Sequence, residues 1–411
     1  MINIPKGTKD VLPQESFKWQ QIRRNIEQIA KIYNLKEITT PVFEHTELFV
    51  RGVGESTDIV NKEMYTFLDK GNRSLTLRPE GTAPVVRSFI ENGMFNNAMP
   101  IKLFYLTPSF RYEKPQSGRL RQHTQFGVEI FGPDSYLADG EAILIMDSFY
   151  KSLSLSPTFV LNTIGCEEDR KSFKAAFKKY VEPKIHEYCT DCKRRYHQNP
   201  LRMLDCKSST CKKLVEDAPK LSQFLCDKCS NSFNNLKNLL TQLKINFIEN
   251  NKLVRGFDYY TGVVFEVILE GVDYAMGGGG RYNNLVEELG GNPTAVVGFG
   301  IGIERVLLYL ENNNIDVFKE DKPNIYIASA TENMTYIFKF VEDLRLNGIA
   351  CEFDKMDRSL KAQFKYADKL EVDYVLVIGD DEINSKIFTL KNMKTGEHSK
   401  FTKDELIAKL K

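Results

Sequence analysis

Between Glu15 and Tyr33 apolar side chains recur every three or four positions, at Phe17, Ile22, Ile26, Ile29 and Tyr33, with charged residues between them. That period gathers them on one face and predicts an amphipathic helix. Pro41 then opens an extended apolar stretch, Pro41-Val42-Phe43-Glu44. Phe104–Arg111 and Phe126–Phe131 are rich in aromatic and β-branched residues and flank the polar segment Tyr112–His123. They predict two antiparallel strands joined by a long hairpin loop. Val263–Leu269 reads as a further strand, and Ala295–Leu310 as a strand running into a helix. Strands that mostly pair antiparallel, with helices between runs of them, indicate an α+β core.

Two segments differ in character. Residues 166–250 carry 17 Lys and Arg against 11 Asp and Glu and hold most of the cysteines. This stretch reads as a mainly helical subdomain inserted between two halves of the core, residues 1–165 and 251–322. From Pro323 the pattern becomes strand (Asn324–Ala330), helix, strand (Ala350–Phe353), helix, strand (Tyr374–Gly379), strand (Ile387–Asn392) and a terminal helix. Such alternation predicts a separate small α/β domain over residues 323–411.

A length of 411 residues suits two or three such units, and 42% hydrophobic with 27% charged residues is ordinary for a globular protein. The net charge of +1 announces no nucleic-acid partner, although a local basic surface would suffice for one. The first residues lack an apolar core of signal-peptide length, and no uncharged apolar run reaches the roughly 20 residues that span a bilayer. A cytoplasmic location is therefore expected.

Six of the eight cysteines lie within Cys189–Cys229. Such crowding points to a metal site or to reduced thiols rather than a disulfide framework. Cys189-x-x-Cys192 and Cys226-x-x-Cys229 form two chelate-type pairs, and four thiolates from two such pairs would make a tetrahedral structural zinc site. Cys206 and Cys211 could replace either pair. The basic excess makes the insertion a candidate RNA-contacting element, with Lys193, Arg194 and Arg195 as phosphate partners.

Arg111 and Glu113 close the first hairpin strand, and Arg119, Arg121, Gln125 and Glu129 follow around the turn. Residues two apart share a strand face, so Arg111 is expected beside Glu113, and Gln125 beside Glu129. Guanidinium, amide and carboxylate groups together suit a ligand with both phosphate and amine groups, because the planar guanidinium binds phosphate through two parallel bonds. A solvated hairpin with surface ion pairs is the plainer reading of that segment alone. Gly298-Phe299-Gly300-Ile301-Gly302-Ile303-Glu304-Arg305 lacks the spacing of a dinucleotide fingerprint. Its alternating glycines read instead as a strand that admits a flat group against its backbone.

In this order, the three segments resemble the three motifs of class II aminoacyl-tRNA synthetases: Ile22–Glu44 with its Pro41, Phe110–Phe131, and Gly298–Arg305. Leu253-Val254-Arg255-Gly256-Phe257-Asp258-Tyr259-Tyr260-Thr261-Gly262, Gly277–Tyr282 (GGGGRY) and Arg78-Pro79-Glu80-Gly81-Thr82 are similar to stretches peculiar to the histidyl-tRNA synthetase family, bacterial type. The resemblance implies a class II catalytic core, an antiparallel sheet of six or seven strands flanked by helices. It implies a dimer interface at the first motif and a C-terminal anticodon-binding-type domain. The activity implied is ATP-dependent ligation of L-histidine to tRNA(His) through a histidyl-adenylate, with Mg²⁺ accompanying ATP. By the same resemblance, Glu80, Thr82, Arg111, Gln125, Glu129, Arg255, Tyr259 and Tyr260 contact histidine. Arg111, Glu113, Arg119 and Arg305 hold ATP, and Arg255 with Arg111 carries the chemistry. Glu304 and Glu113 are candidate contributors to a Mg²⁺ site. His123 and Phe257 depart from the family pattern, and His123 is given no role.

Two other functions compete. A histidine-sensing regulatory paralogue without tRNA charging would be expected to have lost the C-terminal domain and eroded the Arg255 segment, and both are present. A pseudo-synthetase domain of a signalling protein would need fused partner domains.

Overall fold

The computed structural model describes residues 2–55, 57–115, 118–272 and 274–411. The chain divides into two compact units, Met1–Phe318 and Lys319–Lys411.

In the first unit the strands in chain order are β1 (Lys36–Glu37), β2 (Phe43–His45), β3 (Tyr65–Leu68), β4 (Ser74–Leu77), β5 (Ile101–Phe110), β6 (Gln122–Gly132), β7 (Thr158–Thr163), β8 (Phe247–Glu249), β9 (Thr261–Ile268), β10 (Gly277–Arg281) and β11 (Ala295–Gly302). Eight of them form one sheet in the order β1-β5-β6-β11-β10-β9-β7-β8. Neighbours from β5 to β7 pair antiparallel, and only the edge strands β1 and β8 pair parallel. The family resemblance implied six or seven antiparallel strands; the antiparallel part has six.

Period-two alternation on β6 sets the layers. Phe126, Val128 and Ile130 enter a buried cluster with Ile22, Ile26 and Ile29 of the helix Pro13–Ile32 and with Ile143, Met146 and Phe149 of the helix Tyr136–Lys151. Gln125, Gly127 and Glu129 point to the opposite face, which is where the polar side chains gather. The first helix is the one read from its apolar spacing, begun two residues earlier by Pro13 in its first turn.

Three strands, β2, β4 and β3, make a small separate sheet. Arg78, directly after β4, is buried. It donates to the carbonyls of Pro108 (2.8 Å), Thr40 (2.8 Å) and Pro41 (3.1 Å), tying the Pro41 segment to the hairpin. Three carbonyls thus replace water around a buried cation.

Residues 166–250 are mainly helical, with helices Glu167–Val181, Thr190–Gln198, Ser209–Leu214 and Asp227–Gln242. Phe233, Leu236 and Leu240 of the last of these join the same buried cluster as the helix Tyr136–Lys151. The second unit has five strands, β12 (Ile325–Ala330), β13 (Cys351–Phe353), β14 (Tyr374–Gly379), β15 (Phe388–Asn392) and β16 (His398–Phe401), in the order β13-β12-β14-β15-β16. The parallel pairs β12–β13 and β12–β14 are joined by the helices Met334–Leu346 and Leu360–Lys369. β16 and the short helix Asp380–Ser385 were not legible in the sequence pattern.

Candidate active site

A floor of glycines defines the site. In the sheet register Gly298 of β11 lies opposite Glu129 of β6 and Gly280 of β10; Gly300 lies opposite Gly127 and Gly278. A β-carbon at Gly298 would collide with Glu129 Oε2 and the Tyr282 hydroxyl, and one at Gly300 with Gln125 Nε2. At Gly127 and at Gly81 it would collide with the Tyr105 ring, and at Gly278 it would stand 2.6 Å from Arg255 Nη1. The missing side chains therefore leave room for polar and aromatic groups to lie flat on the backbone.

Glu129 is fully buried on this floor. Its Oε1 accepts from the Thr82 hydroxyl (2.8 Å) and the Tyr105 hydroxyl (3.0 Å). Its Oε2 has no partner among the described residues, and neither has the Tyr282 hydroxyl. Burial and the nearby Glu80 push the Glu129 carboxyl well above the usual carboxylate range, against the two hydroxyl donors. Glu80 itself accepts from the backbone N–H groups of Thr82 (2.6 Å) and Ala83 (2.8 Å) at the start of the helix Thr82–Glu91. It caps that helix and fixes the Thr82 hydroxyl over Glu129.

Four aromatic rings form the wall. Tyr259 and Tyr260 are buried with centroids 4.7 Å apart; Tyr282 lies edge-on at 5.2 Å from Tyr259, and Phe257 stacks on Tyr259 at 5.2 Å. Burial raises the pKa of both Tyr259 and Tyr260, so their hydroxyls stay protonated. Arg255 pairs with Glu266 of β9 and passes 5.8 Å from the Tyr260 ring centre. Burial acts against its charge, but Glu266 and the tyrosines outweigh it and its pKa rises.

A second set of arginines stands at the hairpin. Arg111 donates to the Pro79 carbonyl (2.8 Å), Arg119 to Glu113 (3.3 Å), and Arg305 to the carbonyls of Gly118 (3.1 Å) and Ala275 (2.8 Å). β5 ends at Phe110, so Arg111 and Glu113 lie past the strand and do not share a strand face as expected. A bond from Arg111 N–H to the Arg121 carbonyl (2.8 Å) closes the neck of the loop instead. Within that loop Gln116 and Ser117 lie outside the described residues. His123, given no role from the sequence, is on β6 opposite Ser109. Burial, with Arg111 and Arg305 nearby, lowers the pKa of His123 to about 3 and keeps it neutral. Glu304 accepts from Thr124 N–H through both oxygens (2.7 and 2.9 Å), and burial lifts its pKa to about 7. Glu113 is engaged by Arg119, so neither candidate for a Mg²⁺ site is without a protein partner.

The cysteines correct the grouping read first and follow its alternative, in which Cys206 and Cys211 replace one pair. Cys189 and Cys192 do not meet Cys226 and Cys229. Cys189, Cys192, Cys206 and Cys211 form one group, and Cys166, Asp169, Cys226 and Cys229 another. The cause is topological: Cys226 caps the helix Asp227–Gln242 and faces the start of the helix Glu167–Val181, where Asp169 accepts from the N–H groups of both Cys166 (3.1 Å) and Cys226 (2.9 Å). Arg194 and Arg195, expected as RNA partners, are engaged within the protein. With Arg202 they surround Asp58 at 3.2, 3.5 and 3.7 Å, and they lower its pKa despite partial burial.

Sequence reasoning missed Tyr105 and Glu266. A glycine inside each facing strand, Gly127 and Gly278, was the available signal.

An antiparallel six-stranded core, an arginine-bearing hairpin and a glycine-lined strand entering a helix at Arg305 define the class II aminoacyl-tRNA synthetase catalytic core. The profile described as "Histidyl-tRNA synthetase" matches residues 7–306, and that described as "Anticodon binding domain" matches residues 315–411. The chain belongs to the histidyl-tRNA synthetase family. It is 51% identical over 398 residues to the histidine–tRNA ligase of Clostridium novyi, covering 96% of this chain and 95% of that one. It is 49% identical over 410 residues to that of Caldanaerobacter subterraneus subsp. tengcongensis, covering 99% and 98%. The crystal structure of apo S. aureus histidyl-tRNA synthetase superposes with a TM-score of 0.86 at 39% identity, covering both chains fully. A Bacillus halodurans C chain titled as an ATP phosphoribosyltransferase regulatory subunit/histidyl-tRNA synthetase, at 21% identity and TM-score 0.65 over 89% of this chain and 96% of that one, shares the fold.

Proposed function

We propose that the pocket over the glycine floor binds L-histidine and activates it with ATP for transfer to tRNA(His). The unpaired Glu129 Oε2, buried under an aromatic wall, is the observation that carries this reading. A buried carboxylate without a cation favours its neutral form, and the α-ammonium of an amino acid supplies the missing charge. Thr82 and Gln125 stand beside it as further acceptors, and Glu80 holds Thr82 in place. The hydroxyls of Tyr259 and Tyr260 serve the two imidazole nitrogens, one as donor and one as acceptor.

The histidine carboxylate is already ionised at neutral pH and needs no general base. Its oxygen attacks the ATP α-phosphorus, the bond to the bridging oxygen breaks, and pyrophosphate leaves. Arg255 and Arg111 stabilise the charge that gathers on the phosphoryl oxygens, more in the transition state than before it. Arg305, Arg119 and Arg111 hold the phosphates, with Glu113 toward the adenine. Class II synthetases use ATP with Mg²⁺, which neutralises phosphate charge when bound. A tRNA hydroxyl then attacks the adenylate carbonyl and AMP leaves.

Val42, Phe43, Phe67 and Leu68, exposed on the small sheet β2-β4-β3, support a homodimer through this face. Residues 323–411 serve as the anticodon-binding domain, residues 166–250 as an insertion, and 1–165 with 251–322 as the catalytic core. The eight free cysteines suit the reducing cytoplasm, and no helix among the described residues is long and apolar enough to cross a membrane. An intact Arg255 segment together with the C-terminal unit favours tRNA charging over a histidine-sensing paralogue. Aminoacylation of tRNA(His) with radiolabelled histidine tests the reading. Histidine binding without charging would favour the sensor, and sedimentation velocity tests the dimer.

A further inference from the structure

The geometry points to a structural Zn²⁺ site formed by Cys189, Cys192, Cys206 and Cys211, in which the metal locks the helix that grips Asp58 and Asp258. The four sulfur atoms lie within 4.8 Å of one another. Cys189 Sγ and Cys206 Sγ are 3.8 Å apart. Four thiolates placed tetrahedrally at ~2.3 Å from zinc are separated by about 3.8 Å. A disulfide needs ~2.05 Å, and all four thiols are free.

Local structure prepares the site. Cys189 is the N-cap of the helix Thr190–Gln198 and Cys192 lies in its first turn; Cys206 precedes the helix Ser209–Leu214, which contains Cys211. Cys192, Cys206 and Cys211 are buried, and Cys189 is partly so. The Cys189 N–H already donates to Cys211 Sγ at 3.4 Å, the kind of bond that supports a thiolate ligand. Lys193, Lys207 and Lys212 directly follow three of the four cysteines and are exposed, so they offset the double negative charge of a zinc–tetrathiolate. Binding exchanges four S–H protons, released to solvent, for four Zn–S bonds.

The segment also needs a cross-link. The only buried side chain of the helix Thr190–Gln198 is Cys192. Besides Cys192, only the half-buried Tyr196 packs apolar surface from that helix, yet the helix delivers Arg194 and Arg195 to Asp58, and Asn199 beyond it donates to Asp258 Oδ1 at 2.7 Å. Asp258 adjoins Tyr259 and Tyr260. A metal at the helix start thus fixes the wall of the histidine pocket from behind. The second cysteine group differs, since Asp169 is already engaged by two backbone N–H groups.

Metal analysis of the full-length protein purified without chelator is expected to find about one zinc ion per chain. Cys192→Ser and Cys206→Ser are expected to lose it, and Cys229→Ser to keep it. Should the serine variants fail to fold, the wild-type protein produced with Co²⁺ carries the test. Intense tetrahedral d–d and thiolate-to-cobalt bands are expected there, with Cys189, Cys192, Cys206 and Cys211 protected from alkylation. Wild-type protein without stoichiometric metal, zinc that follows Cys229 instead of Cys192, or a cobalt form without thiolate bands each overturns the proposal.

Discussion

Gly298 lies directly beneath the Glu129 carboxylate, so that a β-carbon on the one would overlap Oε2 of the other. Gly298→Ala is therefore expected to push Glu129 out of place and lower kcat/KM for histidine by about a hundredfold. The overpacking cost to stability is about 1–3 kcal/mol. ATP–pyrophosphate exchange across a histidine titration checks it; an unchanged KM would mean that the carboxylate does not bind the substrate.

Arg255→Ala removes the cation assigned to the α-phosphate. The expected loss in adenylate formation is about a hundredfold or more, by analogy with losing one transition-state donor. Because the pair with Glu266 also breaks, Glu266→Gln is the control that separates charge at phosphorus from position. Exchange near the wild-type rate in Arg255→Ala would sink the assignment.

Histidine binding should release protons as Glu129 gives up its own. Glu129 begins with a raised pKa; the arriving ammonium favours its charged form and lowers that pKa. Calorimetry in buffers of different ionisation enthalpy measures the release, and Glu129→Gln should reduce it.

His123 gives the fold an acid-side weakness. Its folded pKa of about 3 is below the ordinary value of 6.5, so between these values the unfolded chain binds more protons. Its contribution to stability is full above about pH 6.5 and is lost as pH falls toward 3. Replacing it with phenylalanine should flatten that part of the urea-midpoint profile, and an identical slope in both proteins would contradict the cause.

Arg281 closes the GGGGRY segment, donating to buried Asp139 (2.6 and 3.0 Å) and to the carbonyls of Pro133 and Ser135 (both 2.9 Å). Arg281→Ala leaves an unpaired carboxylate in the interior and should cost about 3–5 kcal/mol in denaturant unfolding.

Periodicity made the first helix, the two hairpin strands and the strand–helix at Ala295–Asn312 legible, because each buries one face and the pattern reports burial directly. Chemistry carried by close approach was less so. Tyr105 and Glu266 look like ordinary strand residues until the sheet register sets each opposite a glycine. Pairing among the cysteines depended on which helices meet, which spacing along the chain does not encode. The ion pairs of Arg194 and Arg195 were hidden for the same reason: a basic run names no intramolecular partner until the fold supplies Asp58.

The glycine floor also limits how the pocket could be remodelled. Glu129, Gln125 and Arg255 lie where β-carbons of Gly298, Gly300 and Gly278 would stand, so every substitution there displaces one of these groups and none adds volume. Acceptance of a bulkier histidine analogue would have to come from trimming the wall at Phe257, Tyr259 or Tyr260. The floor acts as a one-way filter on sequence change, and a selection experiment for new amino-acid substrates should recover wall variants while the glycines of β10 and β11 stay fixed.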